Sequence, residues 1–165
     1  MTYHEAIIDL IYYVLKRGEI YLNLVDSGNA YDKIIRNYHQ FNSFGEKVYR
    51  NKSLMIKYYR ISKEAYPLVD DISNIYFEHV YPVKLLKKDL RELKGEEINI
   101  RNIQSIMDQS EIVVLSRKEA KTLDKIYKDT IPKNGKDRLE ELQIEIHPAT
   151  IKNNLFNNYL KSASK

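Results

Sequence analysis

The chain has 165 residues, of which 43% are hydrophobic, and its 27 Lys and Arg against 23 Asp and Glu give a net charge of +4. This composition can bury a core, so wholesale disorder is excluded, and the absence of Cys excludes disulfide scaffolds and Cys-ligated zinc. No apolar run approaches the roughly 18 residues of a membrane span, and no basic segment precedes the first apolar stretch. We therefore expect a cytoplasmic protein with no membrane partner, whose mild basicity permits a nucleic-acid partner without requiring one.

The first part of the sequence predicts three helices. Apolar residues spaced three and four apart predict a helix from Thr2 to about Leu24, opened by a capping box of Thr2 and Glu5. The turn sequence DSGN ends this helix. A second helix is predicted from Ala30 to about Phe44, and a third follows over residues 46–59.

The middle of the sequence combines two helices with two apolar segments. NIYFEHV is compatible with a short strand or with the last turn of a helix, whereas EIVVLS predicts a strand that ends at Ser116. Between them, VKLLKKDLRELKG predicts a helix that ends at Gly95, and NIRNIQSIMDQS predicts a shorter helix. Ser116 and Glu119 form a second capping box that opens the helix after the strand.

The last part of the sequence predicts a turn at IPKNGKD, a short helix at RLEELQI and an extended EIHPATI, followed by a tail that frays at its end. The predicted fold class is α+β and predominantly helical, with N-terminal helices followed by a small two-strand element flanked by helices. We expect a single domain over residues 1–165, with a helical half at about 1–66 and an α+β half at about 67–160.

One pair of neighbouring side chains suggests chemistry. Glu78 and His79 stand side by side at the end of NIYFEHV, shortly before Pro82. Hydrolysis of a phosphodiester with one metal ion needs a base that deprotonates water and an oxygen ligand beside it. FEHVYPVKLL resembles the first strand of the HNH (ββα-metal) endonucleases, where an acid–His pair is commonly followed by an apolar residue and a proline. EIVVLSRKEAKTLDKIY is similar to the second strand and helix of that motif.

The resemblance implies a small metal-dependent endonuclease of a phage, mobile element or restriction system. Glu78 would be a ligand of Mg²⁺ or Mn²⁺, and His79 would be the general base. Glu119 would supply a further ligand from the helix after the second strand, where the family usually has His or Asn and this chain has Ala120. His147 is a third candidate ligand if it approaches His79 in space.

Structural roles are an alternative for the same pair. Glu78 could form an ion pair with Lys84 or Lys87, and His79 could be a hydrogen-bonded, half-buried side chain. A ββα core that binds nucleic acid or a protein without catalysis lies between these two interpretations.

The segment VYRNKSLMIKYYRISK is the most basic stretch of the chain. Its cations could neutralise phosphates while its tyrosines stack on exposed bases. The alternative is a solvated helix face whose tyrosines belong to the core. The predicted nucleic-acid-binding residues are Arg50, Lys52, Lys57, Tyr58, Arg60 and Lys63.

Other site signatures are missing from the sequence. It has no Walker A loop, no dinucleotide-binding glycine pattern and no GxSxG motif, so a cofactor-dependent metabolic enzyme is disfavoured. We predict a nucleic-acid-directed protein, with DNA favoured over RNA as its partner. The alternative is a non-catalytic helical binding protein, such as a phage-encoded or regulatory inhibitor, that docks on a protein partner. The first needs His79 exposed beside acids, whereas the second tolerates it buried.

Overall fold

A computed structural model describes residues 1–156, and the predicted fraying of the tail falls on residues outside that range. Helices dominate and a small sheet accompanies them, which confirms the predicted α+β, mainly helical class. The helices are α1 (Tyr3–Lys16), α2 (Glu19–Asp26), α3 (Ala30–Gln40), α4 (Lys52–Tyr58), α5 (Val83–Glu92), α6 (Ile100–Met107), α7 (Arg117–Tyr127) and α8 (Arg138–Glu141). The strands are β1 (Arg60–Ile61), β2 (Ile75–His79) and β3 (Ile112–Ser116), and short 3₁₀ turns lie at Tyr66–Leu68, Ile72–Asn74 and Gly95–Glu97.

The first predicted helix is two helices. The capping box of Thr2 and Glu5 opens α1 as predicted. Gly18, however, has a φ of 81°, a left-handed conformation that glycine adopts without a steric penalty, and the chain turns there into α2. The prediction of one continuous helix to Leu24 was therefore wrong at Gly18.

The second and third predicted helices are shorter than their apolar spacing suggested. Helix α3 ends at Gln40, and the buried side chain of Asn42 accepts hydrogen bonds from the backbone N–H groups of Phe44 (3.0 Å) and Glu46 (2.9 Å). These bonds give the backbone an alternative to helical pairing. Helix α4 consequently begins only at Lys52, and the prediction of a helix from residue 46 was wrong.

The sheet has three strands in the order β1-β3-β2. Strand β3 is central, pairs in parallel with β1, and pairs antiparallel with β2, so that Ile75 faces Ser116 and His79 faces Ile112. The strand prediction for EIVVLS is confirmed, and NIYFEHV is a strand rather than a helical turn. Strand β1 has only two residues, and no sequence pattern predicted it. The outer edge of β2 carries no further strand within residues 1–156.

The core covers both faces of the sheet and the space between the helices. One buried cluster joins α1 and α3 to α5 and α6, so it draws on both halves of the sequence. Alternate β3 side chains point to opposite faces of the sheet: Val114 packs with α4 and β1, and Val113 packs with α7. All five β3 residues are buried, which makes this strand the rigid support for whatever β2 carries at its edge. No helix within residues 1–156 has the length and apolar character needed to cross a membrane.

Candidate functional site

Glu78 lies on β2 and is bound to a buried arginine. The Nη2 of Arg138, whose side chain is 0% exposed, donates to the Glu78 carboxylate at 2.5 Å. The same guanidinium donates to the backbone oxygens of Val80 (3.0 Å) and Tyr127 (2.8 Å) and to that of His79. Burial raises the pKa of Glu78, and the Arg138 charge opposes that rise. The carboxylate is thus half of a buried ion pair that fastens α8 to β2 and to the end of α7.

His79 is buried at the end of β2, with only 6% of its surface exposed. Burial lowers its pKa well below the usual value, and the nearby His39 ring, 5.2 Å away between centroids, and the charges of Arg36 and Arg138 lower it further. The imidazole is therefore neutral near pH 7 and a weak base. Its Nε2 is buried and has no hydrogen-bond partner within residues 1–156.

Glu119 lies at the other end of the sheet from His79. It closes the predicted capping box of α7, accepting from the Ser116 N–H at 2.8 Å and from the Ser62 hydroxyl at 2.5 Å. Because Ser116 pairs with Ile75, the first residue of β2, this carboxylate is separated from His79 by the length of that strand.

The third predicted metal ligand is held elsewhere. The His147 ring stacks on Tyr66 at 3.6 Å, and its backbone N–H donates to Ile61 on β1. No three His, Asp or Glu side chains converge on a possible metal position within residues 1–156. The residues present do not fit the metal centre that the HNH resemblance implies, so we derive no step through a metal. The Mg²⁺ or Mn²⁺ cofactor stays a prediction.

Two cations of the predicted basic stretch form local ion pairs. Lys52 is paired with Asp70 and Lys63 with Glu145, all four being exposed. Such surface pairs partly neutralise the cations that a phosphate backbone would need. Arg50 has no carboxylate partner among the described residues.

The remaining members of the stretch lie in two other environments. Arg60 forms a partly buried ion pair with Glu111 beside the sheet. The Lys57 ammonium lies 5.0 Å from the ring centroid of Tyr58, and Tyr58 is a core side chain with 7% exposure. Of the six predicted nucleic-acid-binding residues, Arg50 is the one that lines a cavity along β2.

That cavity is a recess of about 230 Å³ beside the open edge of β2. Three arginines line it, and we call it the arginine recess: Arg36, Arg50 and Arg117. Its remaining lining is aromatic, aliphatic or uncharged, including the buried His79. No Asp or Glu among residues 1–156 contributes to the lining. Such a recess attracts anions, and guanidinium groups match the geometry of phosphate oxygens.

Each arginine reaches the recess from a different element. Arg36 projects from the exposed face of α3 and forms no ion pair within residues 1–156. Arg117 is the first residue of α7, and its Nε donates to the backbone oxygen of Ser73. Arg50 lies in the turn before α4 with a φ of 65°, and its guanidinium carbon is 5.0 Å from the Tyr49 ring centroid. The recess therefore depends on tertiary folding rather than on one basic segment.

A larger cleft of about 480 Å³ adjoins the arginine recess and shares Arg36, Tyr76, Phe77 and His79 with it. We call it the mixed cleft because both acidic and basic side chains line it. Lys87 donates to Asp32 at 2.9 Å, and Lys84 donates to Asp129 at 3.2 Å. The remaining charged lining consists of Glu78, Asp124 and Lys128. Positive charge without a carboxylate partner is thus concentrated at the recess end of the groove.

Sequence reasoning missed Arg36, Arg117 and Asp124. Asp124 on α7 lines the mixed cleft together with Glu78 and raises the pKa of Glu78. Helix α7 therefore does present an acid there, five residues beyond the predicted ligand Glu119. Counting helical turns from the cap at Ser116 would have found that position. No comparable signal linked Arg36 to Arg117, because 80 residues separate them and only the fold brings them together.

Comparison with known proteins adds no further constraint. No protein-family model matches the chain, and neither a curated protein nor a solved structure matches it significantly. The functional inference consequently depends on the geometry of the recess and the cleft.

Proposed function

We propose that the protein binds nucleic acid along the open edge of β2, with the arginine recess as its phosphate contact. The observation that carries this proposal is the lining of the recess, which has three arginines and no carboxylate. Phosphate contacts supply most of the affinity of nucleic-acid binding that does not depend on sequence. Arginine provides such contacts in a bidentate geometry that lysine lacks.

Aromatic side chains beside the recess favour single strands. Tyr76 lines both the recess and the mixed cleft and is 41% exposed, so one face of its ring is available to a base. Stacking of bases on aromatic rings is tolerant of sequence and contributes roughly 1–3 kcal/mol per base. Tyr49 also lines the recess, but it already contacts Phe77 and the Arg50 guanidinium. A preference for DNA over RNA stays a prediction.

The geometry supports binding better than cleavage. Glu78 is bound to Arg138, and His79 is buried and neutral, whereas a nuclease would present this pair to water and substrate. The endonuclease interpretation nevertheless stays a prediction, and the experiment below tests it directly.

The protein-partner alternative also stays a prediction. Apolar side chains are exposed on α1 and α2. They are Leu10, Tyr13, Ile20, Tyr21 and Leu24. Docking on such a surface would depend little on salt, whereas phosphate contacts depend on it strongly.

The test is fluorescence anisotropy with labelled single-stranded DNA, double-stranded DNA and RNA across a salt series. On a single strand, log K should fall against log salt with a slope of roughly −0.7 for each phosphate that the site neutralises. The double variant Arg36→Ala/Arg117→Ala should reduce the measured slope by more than half. Arg101→Ala removes one exposed arginine of α6 that forms no ion pair with residues 1–156 and does not line the recess, so it should change binding little.

Two results would contradict the proposal. Equal binding by wild type and double variant would show that the recess is not the phosphate contact. Metal-dependent cutting of the same oligonucleotides in Mg²⁺ or Mn²⁺, lost in a folded His79→Ala variant, would restore the endonuclease interpretation and overturn a role limited to binding.

A further inference from the structure

We infer that the arginine recess seats a single phosphomonoester group, the terminal phosphate of a nucleic-acid strand, with Arg50 as its specificity-determining residue. This inference depends on the proposed function, because it names the part of the nucleic acid that enters the recess. The adjoining mixed cleft would then hold the nucleotides that follow that end.

The size of the recess favours one small group over a length of strand. At about 230 Å³ it is smaller than the roughly 300–1,000 Å³ of typical small-molecule sites. It joins the mixed cleft through Arg36 and Tyr76, which line both cavities. A strand lying in the larger cleft would therefore meet the recess at one end of the groove.

The charge of the recess favours a dianion over an internal phosphodiester. A phosphodiester carries one negative charge, whereas a phosphomonoester carries about −1.5 to −2 near pH 7. Three guanidinium groups without a carboxylate in the lining exceed what a single charge would neutralise. Asp71 has its pKa lowered mainly by hydrogen bonds from Ser73 and only lastly by Arg117, and it does not line the recess.

His79, one of the residues that line the recess, also has an unsatisfied polar atom. His79 is 6% exposed, and its buried Nε2 has no partner within residues 1–156. A buried polar atom without a partner is costly unless something completes its hydrogen bonding. Because Nε2 is not accessible in this structure, a phosphate oxygen in the recess could accept a hydrogen bond from it only if the neutral imidazole turned toward the recess.

The backbone at Arg50 is the second independent observation. Its φ of 65° places a long, charged residue in the left-handed region, which favours glycine. Strained residues of this kind concentrate at ligand sites. Here the strained turn carries the guanidinium into the recess lining and stacks it near Tyr49. Arg50 can therefore be tested with a substitution that relieves the backbone while removing the ligand contact.

The experiment compares one single-stranded oligonucleotide with a 5′-phosphate, with a 3′-phosphate and with hydroxyl ends. We expect wild type to bind one phosphorylated form at least about tenfold more tightly than the hydroxyl form, since hydrogen bonds to a charged group are strong. Arg50→Gly should abolish that preference without lowering the melting temperature. Arg50→Lys keeps the charge but not the planar guanidinium that forms two hydrogen bonds to a phosphate, so it should retain only part of the preference. Arg101→Ala is the matched control and should keep the full preference.

Other results of this experiment would contradict the terminal-phosphate inference, the proposed function or the role of Arg50. Equal binding of all three oligonucleotides by wild type would overturn the terminal-phosphate inference while leaving the proposed function intact. Failure to bind any of them would refute both. A mononucleotide that competes as strongly as the phosphorylated oligonucleotide would assign the recess to free nucleotides instead of strand ends. A preference unchanged in Arg50→Gly would remove Arg50 from the site.

Discussion

Arg138 and the arginines of the recess differ in the partners that they contact. Arg138 is fully buried, and its donors meet the Glu78 carboxylate and backbone oxygens. Arg36, Arg50 and Arg117 surround a cavity and have no carboxylate partner within residues 1–156. The difference separates structure from function: an arginine paired with a buried carboxylate holds elements together, whereas arginines around a cavity that lack a carboxylate partner are available to a ligand.

The largest effect on stability should follow from removing Arg138, the arginine that is paired with a buried carboxylate. Arg138→Ala would leave the buried Glu78 carboxylate unpaired and several backbone oxygens without a donor, so we expect unfolding free energy to fall by roughly 3–5 kcal/mol. Urea denaturation followed by circular dichroism measures this loss. Arg101→Ala should change stability by no more than about 0.5 kcal/mol. A loss of similar size in both variants would mean that Arg138 is not the structural arginine.

A somewhat smaller loss of stability should appear on acidification, because of the buried His39. Burial lowers the pKa of His39 from 6.5 to about 4, and its ring nitrogens face the backbone oxygens of Ile35 (3.2 Å) and Met107 (3.0 Å). As pH falls, the unfolded chain binds the proton first. Stability is therefore full above pH 6.5 and declines between 6.5 and about 4, by up to about 3 kcal/mol.

The measurement is the urea midpoint of wild type and His39→Gln across that pH range. The glutamine variant has no imidazole at this position, so its midpoint should depend less on pH. His79, whose pKa is also lowered, contributes a decline of the same sign and remains in both proteins. Parallel pH profiles for the two proteins would refute a role for His39 in acid destabilisation.

An effect of about 1 kcal/mol should distinguish a helix cap from a metal ligand at Glu119. Glu119→Ala removes the bonds to Ser116 and Ser62 and should cost about that amount. Glu119→Gln can still complete a capping box, so it should lose less. If Glu119 instead bound a metal, the glutamine variant would lose metal-dependent cleavage while remaining as stable as wild type. Thermal denaturation and a cleavage assay with Mn²⁺ together decide between these roles.

Local patterns predicted the elements better than they predicted the site. The capping boxes at Thr2 and Ser116 were readable because each depends on residues three apart, and β3 was readable from its continuous apolar run. The breaks after Lys16 and Gln40 were missed because a glycine φ and the buried Asn42 side chain outweigh apolar spacing. These features depend on backbone and tertiary detail that periodicity does not encode.

The site was harder to predict from the sequence for the same reason. Arg50 was predicted as a phosphate contact and lines the recess, but its partners Arg36 and Arg117 come from α3 and α7. The Glu78–His79 pair drew attention because its residue types suit catalysis. Its burial and its arginine are set by α8, whose sequence carried no sign of that contact. Residue type alone does not show whether a charged group is already satisfied.

The smallest expected stability effect belongs to the strained arginine. Arg50→Gly relieves a left-handed conformation that costs an L-residue about 1–2 kcal/mol, while glycine adds about 0.5–1 kcal/mol of unfolded-state entropy. The unfolding free energy should therefore stay unchanged or rise by up to about 1.5 kcal/mol, and it should not fall. Arg50→Ala keeps the strain and should be the less stable of the two. Urea denaturation of both variants decides the matter. A large loss of stability in both variants relative to wild type would mean that Arg50 serves the fold, as Arg138 does, and not a ligand.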